Sequence, residues 1–285
     1  MKLLFRSLPK WQSFIIPCSF QLVIVILLFY LNQTYGGLYN GIQTYNIHEI
    51  WVNISIFTSL AFGLVITSGY SSYFNNILLF KIREKLYSNV ITNYTKLNMT
   101  RPQRLQEDVY RVCESAVDIG SSLFSAAIKL PVFAYVIASL TQWWVAAIII
   151  GLVVIGTYTT KLMANGLVIS QSSKETKEAN FRNQLSKNEV EFIPRYVKDA
   201  FNIWNKQLKS LLFLQSGLGQ TFALLPFILL MPLYLSKVIT LGAFFQSVHG
   251  LSNVVDSLSV IINNRVTISA LYTSLSRLEE LNARK

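Results

Sequence analysis

The stretch IWVNISIFTSLAFGLVITSGYSSYFNNILLFKIREKLYSNVITNYTKLN, Ile50 to Asn98, decides the fold. Ile50 through Phe80 contains no charged residue, and a bilayer crossing needs about 20 predominantly apolar residues. Past Phe80 the composition turns polar, yet Ile82, Leu86, Val90, Tyr94 and Leu97 recur at helical spacing. One helix is therefore expected from Ile50 to about Asn98. At 1.5 Å per residue it measures roughly 70 Å, more than twice the hydrocarbon thickness. It should stop before Pro102, which disfavours helix at Arg101. Ser55, Ser59, Gly63, Thr67 and Ser71 place a small residue at every fourth position of this helix. Such a ladder lets backbones approach closely, within a protomer or across a dimer.

Outward from that helix the rest of the chain reads the same way. Of 285 residues, 52% are hydrophobic and 14% charged, against about 25% charged in a soluble domain. Mean hydropathy is +0.41. Apolar runs fall at about 14–31, 50–80, 119–140, 143–163, 211–235 and 239–262, which predicts an all-α polytopic membrane protein with six transmembrane helices. The first run follows a basic amino terminus with no convincing small-x-small cleavage site, and is read as a retained helix. Spans three and four are separated by Thr141-Gln142, a tight hairpin with Trp143-Trp144 at interfacial depth. Pro226 and Pro232 lie inside span five, where they can kink it. The sixth span is expected to run on past the membrane toward the carboxyl end.

Lysine and arginine fix the orientation. The amino terminus holds Lys2, Arg6 and Lys10, and the connection from span two to three holds seven basic residues. The connection from span four to five holds nine and the tail holds four, leaving Lys129 and Lys237 elsewhere. By the positive-inside rule both termini and the two long connections are cytoplasmic. The net charge of +11 is thus segregated by connection, as membrane topology requires, and does not point to nucleic acid. Span four also continues in helical pattern through Glu178 to about Lys187, with a break near Pro194. Two helical hairpins projecting into the cytoplasm, with an extended sixth helix, look like the transmembrane half of an ABC exporter.

Enzymatic chemistry finds no support. No glycine is followed by lysine, so no Walker A loop exists in the chain, and the short stretch after the sixth span leaves no expected room for an ATPase domain. His48 and His249 are far apart, Cys18 and Cys113 imply no disulfide, and no Cys/His cluster has metal-ligand spacing. No Gly-x-Ser-x-Gly elbow is present. Neither cofactor nor metal is expected.

Span six carries the richest polar pattern. Gln246, His249, Asn253, Asp256 and Asn263 fall within an arc of about 100° on one helix face. Polar groups facing lipid cost several kcal/mol each, so this face turns toward protein or water. Two readings stay open: hydrogen bonding between helices, or the wall of a transport cavity in which Asp256 and His249 exchange protons. Lys129, the lone charge of span three, needs a partner or a wet cavity, and Asp256 is a candidate by chemistry. Glu178 and Arg182 sit four apart, a spacing that suits an i,i+4 ion pair. Glu107 and Asp108 are expected in the first turn of the helix after Pro102, at the positive end of its macrodipole.

Three segments resemble the SbmA/BacA-type peptide-antibiotic uptake transporters of bacterial inner membranes. Gln103-Arg104-Leu105-Gln106-Glu107-Asp108 is similar to that family's Q-R-hydrophobic-Q-E-D string. Glu178-Ala179-Asn180-Phe181-Arg182, with Leu185 and Glu189 beyond, is similar to its E-A-x-aromatic-R element. Ile239-Thr240-Leu241-Gly242, with Gln246, resembles the opening of its last span. The likeness covers about residues 10–280. It implies an exporter-like homodimer without ATPase domains that takes up peptides on the proton gradient, with Glu178 and Glu189 best matched to the family's proton path. The chain departs from the pattern in lacking an additional first helix and a longer insertion between spans three and four. Ala270 also stands where a glutamate is often found. Two other functions remain open: a transmembrane subunit using separately encoded ATPase domains, and a non-transporting membrane receptor.

Overall fold

The computed structural model describes residues 8–96, 102–141, 143–185, 192–260 and 264–283. Seven helices follow in order: α1 (Gln12–Gln43), α2 (Ile47–Lys96), α3 (Pro102–Leu140), α4 (Trp143–Leu185), α5 (Arg195–Leu235), α6 (Leu241–Leu258) and α7 (Arg265–Ala283), with no strand among the described residues. α1 packs most extensively on α2, α3 on α6 and α7, and α4 on α5.

The long second helix forms as its spacing predicts, and Ile82, Leu86 and Val90 are all buried. Tyr94's side chain and Leu97 lie outside what is described. α3 starts at Pro102, where a missing N–H costs nothing because the first-turn donors have no intrahelical partner. α5 likewise begins after Pro194 and continues through Pro226 and Pro232.

Helix α1 runs twelve residues beyond the apolar stretch 14–31, so only Thr44–Asn46 connect it to α2. Hydropathy marks the part suited to lipid, whereas Tyr35, Gly36 and Tyr39 stay helical because they pack on α6. At the turn Tyr45 adopts a left-handed backbone (φ 55°).

The sixth helix differs from its expectation. α6 ends at Leu258 and α7 begins at Arg265, with residues 261–263 of the expected span outside the described residues. Side chains here bond to carbonyls of the preceding turn, Ser257 Oγ to Asn253 O (2.7 Å) and Asn264 Nδ2 to Val260 O (2.9 Å), as Ser55 and Ser59 do within α2.

Two apolar cores form along the bundle. At the lysine- and arginine-rich end, the basic end, Leu78, Ile82, Leu86 and Val90 of α2 meet Val109, Val112, Cys113 and Val117 of α3, and Leu275 and Leu278 of α7. At the opposite end, Phe133 and Ile137 of α3 meet Val145 of α4, Leu230 of α5, and Phe244, Leu251 and Val254 of α6. Helix α3 threads both cores. The small-residue ladder of α2 serves α1 in part: Ser71 is buried and accepts from Gln21 Nε2 (3.0 Å), and Gly63 faces Leu27. Ser55 and Ser59 are exposed, their hydroxyls donating to carbonyls one turn back.

Candidate functional site

The polar face of α6 meets a matching stripe on α1. Gly242 stands so close that a Cβ there would collide with the Gly36 carbonyl oxygen and lie 2.5 Å from the Asn40 amide. This contact lets α1 cap the first turn of α6, whose N–H groups have no intrahelical acceptors. Leu241 N donates to Gln43 Oε1 (2.9 Å), Gly242 N to Asn40 Oδ1 (2.9 Å), and Ala243 N to Thr240 Oγ1 (3.1 Å). Below the cap Tyr39 stacks on Phe245 with centroids 3.9 Å apart, and Tyr35 lies against the His249 ring at 4.7 Å.

The face predicted from periodicity therefore divides. Gln246 and Asn253 are buried between helices, and Asn253 Nδ2 donates to His249 O (3.1 Å). These two take the packing role in this conformation. His249 is half-buried and Asp256 is exposed. Asp256 lies within electrostatic reach of both His249 and half-buried Lys129 on α3, without an ion pair shorter than 4.0 Å among the described residues. Asn263 falls outside the described residues. Lys129 in the second half of α3, His249 midway along α6 and Asp256 in the last turn of α6 thus form an ionisable trio.

Periodicity did not single out Asn32. It is fully buried, and neither its amide nitrogen nor its oxygen has a partner among the described residues. Gly250 approaches it, since a Cβ there would stand 3.6 Å from Asn32 Nδ2. A signal existed: Asn32, Gly36, Asn40 and Gln43 form a small-and-polar stripe at spacing 4-4-3, and Gly242, Gln246, Gly250 and Asn253 form its counterpart.

At the basic end a second polar cluster joins three helices. Arg277 of α7 reaches Asp108 of α3 (Nη1–Oδ1, 3.5 Å) and Glu175 of α4 (Nη2–Oε2, 3.1 Å). Asp108 belongs to the Q-R-L-Q-E-D string, whose Gln106 and Glu107 are exposed, with Glu107 paired to Arg111 at 2.9 Å. Because α3 starts at Pro102 itself, Glu107 and Asp108 lie in its second turn, not its first. The macrodipole falls off within one turn, so Arg277 is the better account of Asp108. Gln103 and Arg104 lie in the first turn of α3, their side chains outside what is described.

On α4 the expected Glu178–Arg182 pair is replaced. Glu178 pairs backward with Lys174 (3.8 Å) and Arg182 is exposed. Lys174 in turn sits over the Trp204 ring of α5, 3.9 Å from its centroid, a cation–π contact that fixes which way the lysine leans. Glu189 lies outside the described residues. Sequence reasoning missed Glu175 and Arg277, which are 102 positions apart with nothing local to link them.

Helices and site together define a class: an all-helical, multi-pass membrane protein. Among the described residues four helices, within Gln12–Gln43, Ile47–Val90, Gln106–Leu140 and Arg195–Leu235, are long and apolar enough to cross a bilayer. Residues 2–191, more than half of the chain, match the family described as ABC transporter transmembrane region 2. The chain belongs to that family, so its helices are those of a transporter's membrane domain.

Proposed function

We propose that the chain is a six-pass protein of the bacterial inner membrane that works as a homodimer and imports peptides or peptide-like antibiotics by alternating access, driven by the proton gradient. In this reading α4 and α6 supply the two further crossings, and the basic end with both termini faces the cytoplasm, as the charge distribution favours. The observation that carries the proposal is Asp256: an exposed carboxylate in the last turn of α6, within electrostatic reach of His249 and Lys129. A charge held against hydrocarbon is costly, so this face turns to water or to a second copy. Two copies facing each other across the Asp256 surfaces enclose a wet, ionisable lining. Glu178 and Glu189 remain candidates on the path toward the cytoplasm by resemblance. No cofactor or catalytic step is assigned.

The test is peptide uptake by proteoliposomes under an imposed pH gradient. Uptake that collapses with a protonophore supports the reading, and uptake indifferent to the gradient refutes it. A second reading is favoured by the family match itself: a transmembrane subunit that borrows separately encoded ATPase domains. Transport that requires ATP, with co-purification of an ATPase, selects this second reading.

A further inference from the structure

We propose that Arg277 is a latch that holds the α4–α5 hairpin against the body of the protein at the basic end, and that release of its Glu175 arm opens that end. The inference rests on the transporter reading for its purpose, but not for its geometry.

At the opposite end α4 and α5 share an apolar core with α3 and α6 through Val145 and Leu230. At the basic end the core is built from α2, α3 and α7, and the partly buried residues packed on it come from the amino-terminal segment, α1, α2 and α7. Among the described residues neither α4 nor α5 contributes to that core. The hairpin is thus joined to the body by an apolar seam at one end and a polar join at the other. At the centre of that join is one guanidinium whose two terminal nitrogens address carboxylates on different helices, Asp108 on α3 and Glu175 on α4.

The geometry suits a reversible closure. An apolar seam separates only by exposing area to water, at a cost that grows with the area. A charge pair at the water-facing end separates into two groups that water can solvate. Arg277 and Glu175 retain 24% and 18% side-chain exposure, enough for water to reach them, whereas Asp108 retains 8%. The Asp108 arm therefore anchors the arginine to α3 and the Glu175 arm is the part that lets go. The planar fork matters, because a lysine ammonium is a point charge that does not address two carboxylates in fixed directions.

The reporter is Ser274→Cys, one turn before Arg277 on α7 and buried at 1% exposure. Membranes carrying the full chain are treated with a water-soluble maleimide, and labelling at position 274 is timed by peptide mass spectrometry. Labelling should be at least tenfold faster when Glu175→Gln or Arg277→Lys is added. A rate within twofold of the parent in both variants overturns the latch. So does a lowered melting temperature without faster labelling, the mark of a merely structural pair. Should Glu175→Gln fail to fold, Glu175→Asp takes its place, with faster labelling expected and an unchanged rate again refuting. Labelling is read without substrate, so the two ideas fail separately. Faster labelling while the parent protein takes up no peptide sinks the transporter reading and keeps the latch.

Discussion

Replacing Gly242 by alanine should be far more harmful than the gain of a single methyl group suggests. The added methyl would overlap the Gly36 carbonyl oxygen, a backbone atom that cannot rotate away, and would lie 2.5 Å from both Cγ and Oδ1 of Asn40. Overpacking of this kind costs about 1–3 kcal/mol. Displacing α6 also stretches the capping bonds from Leu241 N to Gln43 and from Gly242 N to Asn40, worth about 1 kcal/mol each. Better helix propensity returns at most about 1 kcal/mol, leaving a net loss of about 2–4 kcal/mol. Gly36→Ala makes a somewhat less close clash, and against Gln246 Oε1, the far end of a flexible side chain that can swing aside. Gly69→Ala meets nothing within 4 Å. The assay is thermal unfolding of the three purified variants in one detergent. Gly242→Ala should melt roughly 4–16 °C below the parent, Gly36→Ala only slightly below it, and Gly69→Ala at or above it. If the three melt together, or if Gly36→Ala falls furthest, the account of this crossing is wrong.

Asp256→Asn should leave membrane insertion intact and reduce gradient-driven peptide uptake at least tenfold, with Asp256→Glu retaining most of it; undiminished uptake by the asparagine variant rejects the ionisable wall. Trp204→Phe keeps a ring beneath Lys174 and removes an indole N–H that is buried without a partner. It should therefore stay within about 1 kcal/mol of the parent, whereas Trp204→Ala should lose about 3–5 kcal/mol; equal losses in denaturant titrations count against the cation–π platform. Cys113, fully buried in the α2–α3–α7 core, should resist maleimide in the folded protein and label only on denaturation. Ready labelling of the native protein would mean that this core is open.

What the sequence could and could not convey follows from the range of each signal. Helix existence and the segregation of charge are local properties, so Ile82, Leu86 and Val90 were legible as one buried face before any partner was known. The ends of helices were less so. Hydropathy closed the first helix at Leu31 because it reports suitability for lipid, while α1 continues to Gln43 on contacts with a helix 200 positions later in the chain. Periodicity likewise gave the polar arc of α6 but not what lies across from it. An arc is a property of one helix and burial is a property of two, so Gln246 and Asn253 could not be separated from Asp256 by spacing alone. The same limit explains the basic end. Glu178 and Arg182 advertise themselves as an i,i+4 pair, yet Glu178 turns back to Lys174, which Trp204 orients from the neighbouring helix. The charges that join helices, Asp108, Glu175 and Arg277, have no short-range spacing to betray them. The residues most informative about how the helices move relative to one another are accordingly those whose partners lie on other helices. Arg277 and the Gly36–Gly242 crossing hold opposite ends of the bundle, so substitutions at the two places should add in their effects on stability while only the first changes access from the basic end.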